Sequence, residues 1–238
     1  MDKGAMPDPL ICPKLTFGAF YWPIFLLKFK AMKVFDISRP ISKTEPSYPG
    51  NWPVKLTRLK KFKKDKSTLS GLSFGLHTAS HLDLPPHYAK SRLSAEKIDL
   101  QKCFGWARVV DFSGVKFEIT SKAVSRIKPK AGEIILLKTK NSRAQAKKFN
   151  RNFVHIDESA ARVLLKSGIG ALGIDGPSIR KFGLRPDTVH PLLLKRGVLI
   201  YEGLLLKKVK PGRYYFFGLP LKIVGGEASP VRAILIKS

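Results

Sequence analysis

Between Leu76 and His87 the chain reads LHTASHLDLPPH, so three of the protein's five histidines, His77, His81 and His87, stand beside a carboxylate, Asp83. Imidazole and carboxylate are the usual protein ligands of zinc, manganese and iron, and a cluster this dense points to a metal before any fold is considered. His77 and His81 lie four residues apart, which on a helix would bring both to one face. The stretch is a poor helix, because Thr78 and Ser80 favour other conformations and Pro85-Pro86 ends one. A strand end running into a turn fits better. His77, His81 and Asp83 then sit at even spacing and share one side wherever the backbone is extended. The plain alternative is a solvated polar loop, rich in histidine by accident. His190 and Glu202 stand near strand ends in the second half, where a scaffold can hold a group rigidly beside a cleft. Position alone leaves open the commoner roles of a capping histidine and a solvated strand terminus.

The elements that must carry these residues begin at Met32. Lys33–Ile37 reads as a strand, Pro40 to Pro53 as a Pro/Gly/Ser loop, and Val54–Leu59 as a half-exposed strand alternating apolar and basic residues. A basic turn leads to Leu69–His77, an extended stretch that delivers the histidine motif. Trp106–Phe112 and Glu133–Leu137 have the apolar run of buried strands, with a short helix over Thr120–Ile127 between them. Asp157 is placed to N-cap a helix over Glu158–Lys166, with Ala160, Ala161, Leu164 and Leu165 on its apolar face and Gly168 as the stop. Ile169–Ile174 reads as a strand ending at Asp175. His190–Arg196 is a short helix closed by Gly197, and Val198–Tyr201 a strand ending at Glu202. Tyr214–Gly218 and Val231–Ile236 complete the set. Strands interleaved with a few helices predict an α/β or α+β single domain over residues 32–238.

The charge is the unusual feature, with 44 Lys+Arg against 17 Asp+Glu for a formal +27. Such a balance raises nucleic acid, an anionic membrane or an acidic substrate as partners. The basic residues are spread from Lys28 to Lys237, however, so solvated faces are the simpler reading and a nucleic-acid role is disfavoured. Cys12 and Cys103 form no CxxC pair, which excludes a disulfide framework and fits a reducing cytoplasm. Residues 1–31 differ from the rest. Leu15 to Leu27 is an apolar run too short to span a bilayer and broken by Pro23, with no cleavage site after it, so no membrane span is expected. This extension reads as a surface anchor, an extra packing segment, or residues absent from the natural product because translation starts at Met32. The last is favoured, since a regular domain begins cleanly there.

HTASHLDLPPH resembles the HxGTHxDxPxH signature of the cyclase-like metal hydrolases, the family of bacterial kynurenine formamidase and isatin hydrolase. KVFDISRPISKTEPSYPG is similar to that family's opening segment and GALGIDGPSI to its G-I-D-T-P-S segment. HPLLLKRGVLIYEGLLL is similar to its H-x-x-L-L…E-N-L segment and LPLKIVGGEASPVRAI to its ending. Their order and spacing hold from about Met32 to the C-terminus. The resemblance implies a swivelling β/β/α fold with a mixed, barrel-like β core flanked by short helices. It also implies a two-metal site holding divalent ions, Zn2+ as first choice and Mn2+ or Fe2+ as alternatives. In it His77, His81 and Asp83 bind one ion, His190 binds the other, and Asp83 and Glu202 bridge. His87 matches the general acid/base, Tyr48 the position of a substrate-contacting Trp, and Asp175 and Ser178 a supporting motif. The implied activity is hydrolysis of an aryl formamide like N-formylkynurenine, with a cyclic amide or lactone as the alternative substrate. A homo-oligomer, dimer or tetramer, is the implied assembly. Four departures bear on the substrate: Ala79-Ser80 replaces Gly-Thr, Gly176 replaces the D-T-P-S threonine, Arg180 replaces an Asp, and Gly203 replaces the Asn after the glutamate.

Overall fold

The computed structural model describes residues 32–143 and 148–237, so the readings placed on residues 1–31 lie outside the described residues. In chain order the strands are β1 (Lys33–Asp36), β2 (Lys55–Lys60), β3 (Leu69–Ser73), β4 (His81–Asp83), β5 (Phe104–Asp111), β6 (Glu118–Ile119) and β7 (Ile134–Lys138). They continue as β8 (His155–Ile156), β9 (Ala171–Ile174), β10 (Leu199–Glu202), β11 (Gly212–Phe217), β12 (Ala228–Pro230) and β13 (Ile234–Lys237). The helices are short: α1 (Phe62–Asp65), α2 (Ser121–Arg126), α3 (Glu158–Lys166) and α4 (Val189–Leu194). None among the described residues is long and apolar enough to cross a membrane.

Nine strands form one sheet in the order β1-β13-β11-β5-β7-β9-β10-β4-β12. The four central strands β5, β7, β9 and β10 run parallel and the flanking pairs antiparallel. Strands β7, β9 and β10 are buried along almost their whole length because both their faces are covered, whereas β5 carries Arg108 and Asp111 and leaves Trp106 exposed. Ile134 and Leu136 of β7 enter one core while Ile135 and Leu137 enter the other. The second core lies under the helices and takes Val124 of α2, Leu164 of α3 and Leu193 of α4. The first core joins Leu235 of β13 to Leu82 of β4, which are six places apart in the sheet order. A flat sheet would hold those strands far apart at the usual interstrand spacing, so the sheet is curled into the barrel-like half-shell expected for this chain.

Helix α3 starts as predicted: Asp157 Oδ1 accepts from the Ala160 N–H at 2.6 Å, and Ala160, Ala161 and Leu164 are buried. Two features differ from the sequence reading. The stretch Leu69–His77 is not one extended run, since β3 ends at Ser73 and His77 to Ser80 form turns and bends. Gly75 makes the close approach there; a Cβ on it would lie 2.0 Å from Asn51 Oδ1, and Asn51 Nδ2 in turn donates to the His77 carbonyl at 2.8 Å. The ending Val231–Ile236 is likewise not one strand: β12 ends before it at Pro230, and β13 begins only at Ile234. Pro230 is tolerated in β12 because that strand is the sheet edge and pairs only with β4.

Candidate active site

The sheet register builds half of the site. Strand β4 runs antiparallel to β10 with His81 opposite Glu202 and Asp83 opposite Ile200. Residues two apart on a strand share a face, so His81, Asp83 and Glu202 project together, on the side where Ile200 enters the helix-covered core. Helix α4 on that side supplies His190. All four side chains are buried. Asp83 Oδ1 lies 2.8 Å from His77 Nδ1 and 3.4 Å from His81 Nε2, and Asp83 Oδ2 lies 3.6 Å from His190 Nε2. Glu202 spans the same two imidazoles, with Oε1 3.0 Å from His190 Nε2 and Oε2 3.5 Å from His81 Nε2. His77 reaches the group from the turn before β4 rather than from a shared strand.

The second ring nitrogens are anchored outside the cluster. His81 Nδ1 lies 3.2 Å from the Ala79 carbonyl, and His190 Nδ1 lies 2.7 Å from Asp187 Oδ2. Each contact leaves Nε2 as the nitrogen that faces the carboxylates, the orientation a metal-binding imidazole requires. Ser178 Oγ at 3.1 Å and the Ile179 N–H at 2.7 Å donate to Glu202 Oε1 and fix that carboxylate. Asp175 stands apart from the cluster. Its carboxylate accepts from the N–H and hydroxyl groups of both Thr139 and Ser142 at 2.6–3.2 Å, tying the loop after β7 to the end of β9. Asp175 thus holds a loop, while Ser178 holds an oxygen of the Glu202 carboxylate.

Burial and charge pull the groups of the cluster in opposite directions. Burial pulls the His81 and His190 imidazoles down, but the carboxylates around each outweigh it and raise both to about 10. Burial pushes Asp83 up, yet His77 and His81 hold it well below the usual carboxylate range; Glu202 is lowered by His190 and His81 against burial and the Asp83 charge. His87 goes the other way, to about 4, because burial and the His77 and His190 rings outweigh the attraction of Asp83. Its ring lies against that of His77 with centroids 4.2 Å apart.

His77 Nε2, His81 Nε2 and both Asp83 oxygens are buried without a hydrogen bond, although ion-pair distances surround them. Buried polar atoms are almost always bonded, and three converging orphans of ligand type, His81 Nε2 and the two Asp83 oxygens, fit a divalent cation. His77 Nε2 instead faces Glu227 Oε1 at 3.5 Å, and that ring presents Nδ1 to Asp83. Ligand atoms of His81, Asp83 and Glu202, and those of His77, Asp83 and His87, lie mutually within 4.8 Å. The two groups share Asp83, and the second brings His87 within reach of a metal as well as of a substrate.

Two adjoining cavities open on the cluster. One of about 240 Å³ contains the ligand-type side chains, and one of about 370 Å³ extends past His77 and His81 toward Phe149 and Lys140. Tyr48 lines both, with its ring 5.2 Å from Phe149 and 5.5 Å from Phe182.

Residues 35–181 match the Cyclase family model, described as "Putative cyclase". A kynurenine formamidase of Salinibacter ruber is 32% identical over 206 residues, covering 86% of this chain and 97% of that one. The chain belongs to the cyclase family of metal-dependent hydrolases. A second relative of this cyclase-family hydrolase, a kynurenine formamidase of Bacillus cereus, is 28% identical over 87% of this chain and 98% of its own. A "predicted metal-dependent hydrolase" from Bacillus stearothermophilus superposes with a TM-score of 0.79 at 33% identity, over 87% of this chain and 100% of that one. An isatin hydrolase bound to thioisatinate shares the fold, with a TM-score of 0.78 at 19% identity over 87% and 92% of the two chains.

The departures of this cyclase-family hydrolase have local causes. Ala79 has a φ of 57° and Gly203 a φ of 69°, and a Cβ on Gly203 would lie 2.2 Å from the Ala79 carbonyl oxygen. The two turns cross too closely for any side chain at 203, and Ser80 Oγ clasps them by donating to the Gly203 carbonyl at 2.6 Å. At Gly176 a Cβ would meet Asn141 Nδ2 at 2.6 Å; Asn141 fills that space and bonds both ways to the Val154 backbone. Arg180 pairs with Asp187 at 2.8 Å. Sequence reasoning missed Asp187 and Tyr88. The available signal for Asp187 was its place three before His190, as a carboxylate able to cap the start of a short helix.

Proposed function

We propose that this enzyme hydrolyses the C–N bond of an aryl formamide of the N-formylkynurenine type at a two-metal centre. Zn2+ is the first choice of ion, held by His77, His81, Asp83, His190 and Glu202. The observation that carries the reading is the set of buried ligand-type atoms that have no hydrogen bonds. Two carboxylates that each reach both His81 and His190 favour two ions over one, since bridging carboxylates offset the repulsion between neighbouring cations. The names of the relatives at 32% and 28% identity support the formamide. When bound, the ions supply a hydroxide near neutral pH and polarise the scissile carbonyl.

The protein's own groups do the rest. Tyr48 and Phe149 offer an aromatic wall beside the cluster. His87 is neutral at pH 7 and has a nitrogen able to take a proton, although burial, by drawing it down to about 4, makes it a weaker base than an ordinary imidazole. It takes the proton released as water oxygen bonds to the carbonyl carbon, then delivers it to the leaving nitrogen as the C–N bond breaks. Formate and an aryl amine result.

The test is a panel of an aryl formamide, isatin and an aryl lactone, assayed with metal-loaded and chelator-stripped enzyme. Formamide hydrolysis that needs stoichiometric metal and disappears in His81→Ala is expected. Full activity after stripping would overturn the metal reading. Faster turnover of isatin or the lactone would replace the formamide.

A further inference from the structure

His190 is oriented by a more elaborate device than His81. A neutral backbone carbonyl faces His81 Nδ1, whereas a charged carboxylate faces His190 Nδ1 at 2.7 Å. That carboxylate is itself braced. Asp187 Oδ1 accepts from the backbone N–H groups of Val189 at 3.0 Å and His190 at 3.2 Å, so Asp187 is tied to the turn that carries the imidazole. Arg180 Nε lies 2.8 Å from Asp187 Oδ2, the oxygen that faces the ring. The same guanidinium donates to the Leu184 carbonyl at 2.8 Å and the Lys181 carbonyl at 3.3 Å, which hold it in place. Tyr88 stacks on the ring, with centroids 5.2 Å apart and planes 16° apart.

We infer that Asp187, braced by Arg180, is the positioning residue that makes His190 a metal ligand; the inference rests on reading His190 as a ligand. A carboxylate on Nδ1 keeps the proton there, leaves the Nε2 lone pair for an ion that Glu202 and Asp83 would also hold, and raises the basicity of that nitrogen. Backbone carbonyls do this more weakly, so the two ions are held unequally and loss of Asp187 weakens the His190 side selectively. Arg180 adds a restraint on Oδ2, the oxygen that faces the ring, to the backbone N–H groups that already hold Oδ1.

The experiment uses the full chain, stripped of metal and titrated with Zn2+ against a competing chelator, alongside 15N spectra of its imidazoles. Asp187→Asn keeps the shape but offers a neutral group. It is expected to weaken one Zn2+ binding step by about 10- to 100-fold and to shift the His190 ring nitrogens, with the other step unchanged. Arg180→Gln, which leaves Asp187 intact, is expected to weaken the same step by less. That variant decides the matter if Asp187→Asn does not fold. Wild-type affinity and unshifted His190 resonances in the variants would overturn the inference while leaving the proposed activity standing. A wild-type protein that binds no Zn2+ would overturn both.

Discussion

At the scale of the residue, His87 has two chemically distinct futures. It lies near enough to His77 and Asp83 to ligate, and it is held neutral near the cluster as a proton carrier should be. His87→Ala separates them: we expect wild-type metal content with hydrolysis reduced by about 100- to 10,000-fold, the usual worth of a positioned acid/base. Metal loss in that variant, measured by atomic absorption, would make His87 a ligand instead. Ala79 provides an independent test of the turn. It holds a left-handed backbone at φ 57° without being glycine. Ala79→Gly is expected to raise the unfolding free energy by about 0.5–1 kcal/mol in denaturant titration, the strain relieved outweighing the extra freedom of the unfolded chain. Gly203→Ala is expected to destabilise, because its Cβ has only 2.2 Å to the Ala79 oxygen and both partners are backbone.

At the scale of the element, the loop after β7 and the strand end of β9 form one unit through Asp175. Asp175→Ala removes the acceptor for two backbone N–H groups and two hydroxyls. With an unsatisfied buried donor costing roughly 1–3 kcal/mol, a loss of about 2–4 kcal/mol in unfolding free energy is expected. The α3 cap is a milder case, and Asp157→Ala is expected to cost about 1 kcal/mol. Elements of this kind were readable in the chain because their cause is local: an Asp before an apolar helical stripe, or EIILL as a strand covered on both faces. The split of the C-terminal segment into β12 and β13 was not readable. It follows from where Pro230 meets the sheet edge, a pairing with β4 that lies far away in sequence.

At the scale of the whole molecule, the cluster couples pH to folding. In the metal-free protein His81 and His190 are raised to about 10 from 6.5. Their stabilising charge is fully present below pH 6.5 and is lost as pH rises toward 10. Asp83 and Glu202 are lowered, so their contribution is present above their ordinary values of 3.8 and 4.5 and is lost as pH falls below them. His87, lowered to about 4, costs stability as pH falls below 6.5, so metal-free protein is expected to be most stable at about pH 6.5 and to unfold more readily at pH 9 than at pH 6. Added Zn2+ should reverse that order, because it competes with the protons on both imidazoles. Thermal unfolding at the two pH values, with and without Zn2+, checks the sign.

The sequence by itself determined which residue types meet and in what order along the chain. The histidine motif was legible because ligand chemistry is written in neighbouring residues, and the strands ending at Asp175 and Glu202 because of their patterning, whereas His190 and Glu202 took their roles only from the family resemblance. Tertiary structure alone decided how they meet. The antiparallel register that sets His81 opposite Glu202 joins residues more than a hundred positions apart. So do the crossing of the Ala79 and Gly203 turns and the clasp of Ser80 between them. The bracing of Asp187 by Arg180 spans fewer residues, but it too depends on a loop path that no periodicity records. Such contacts form only when the curled sheet brings distant strands side by side, and a pattern read along the chain contains no term for that closure.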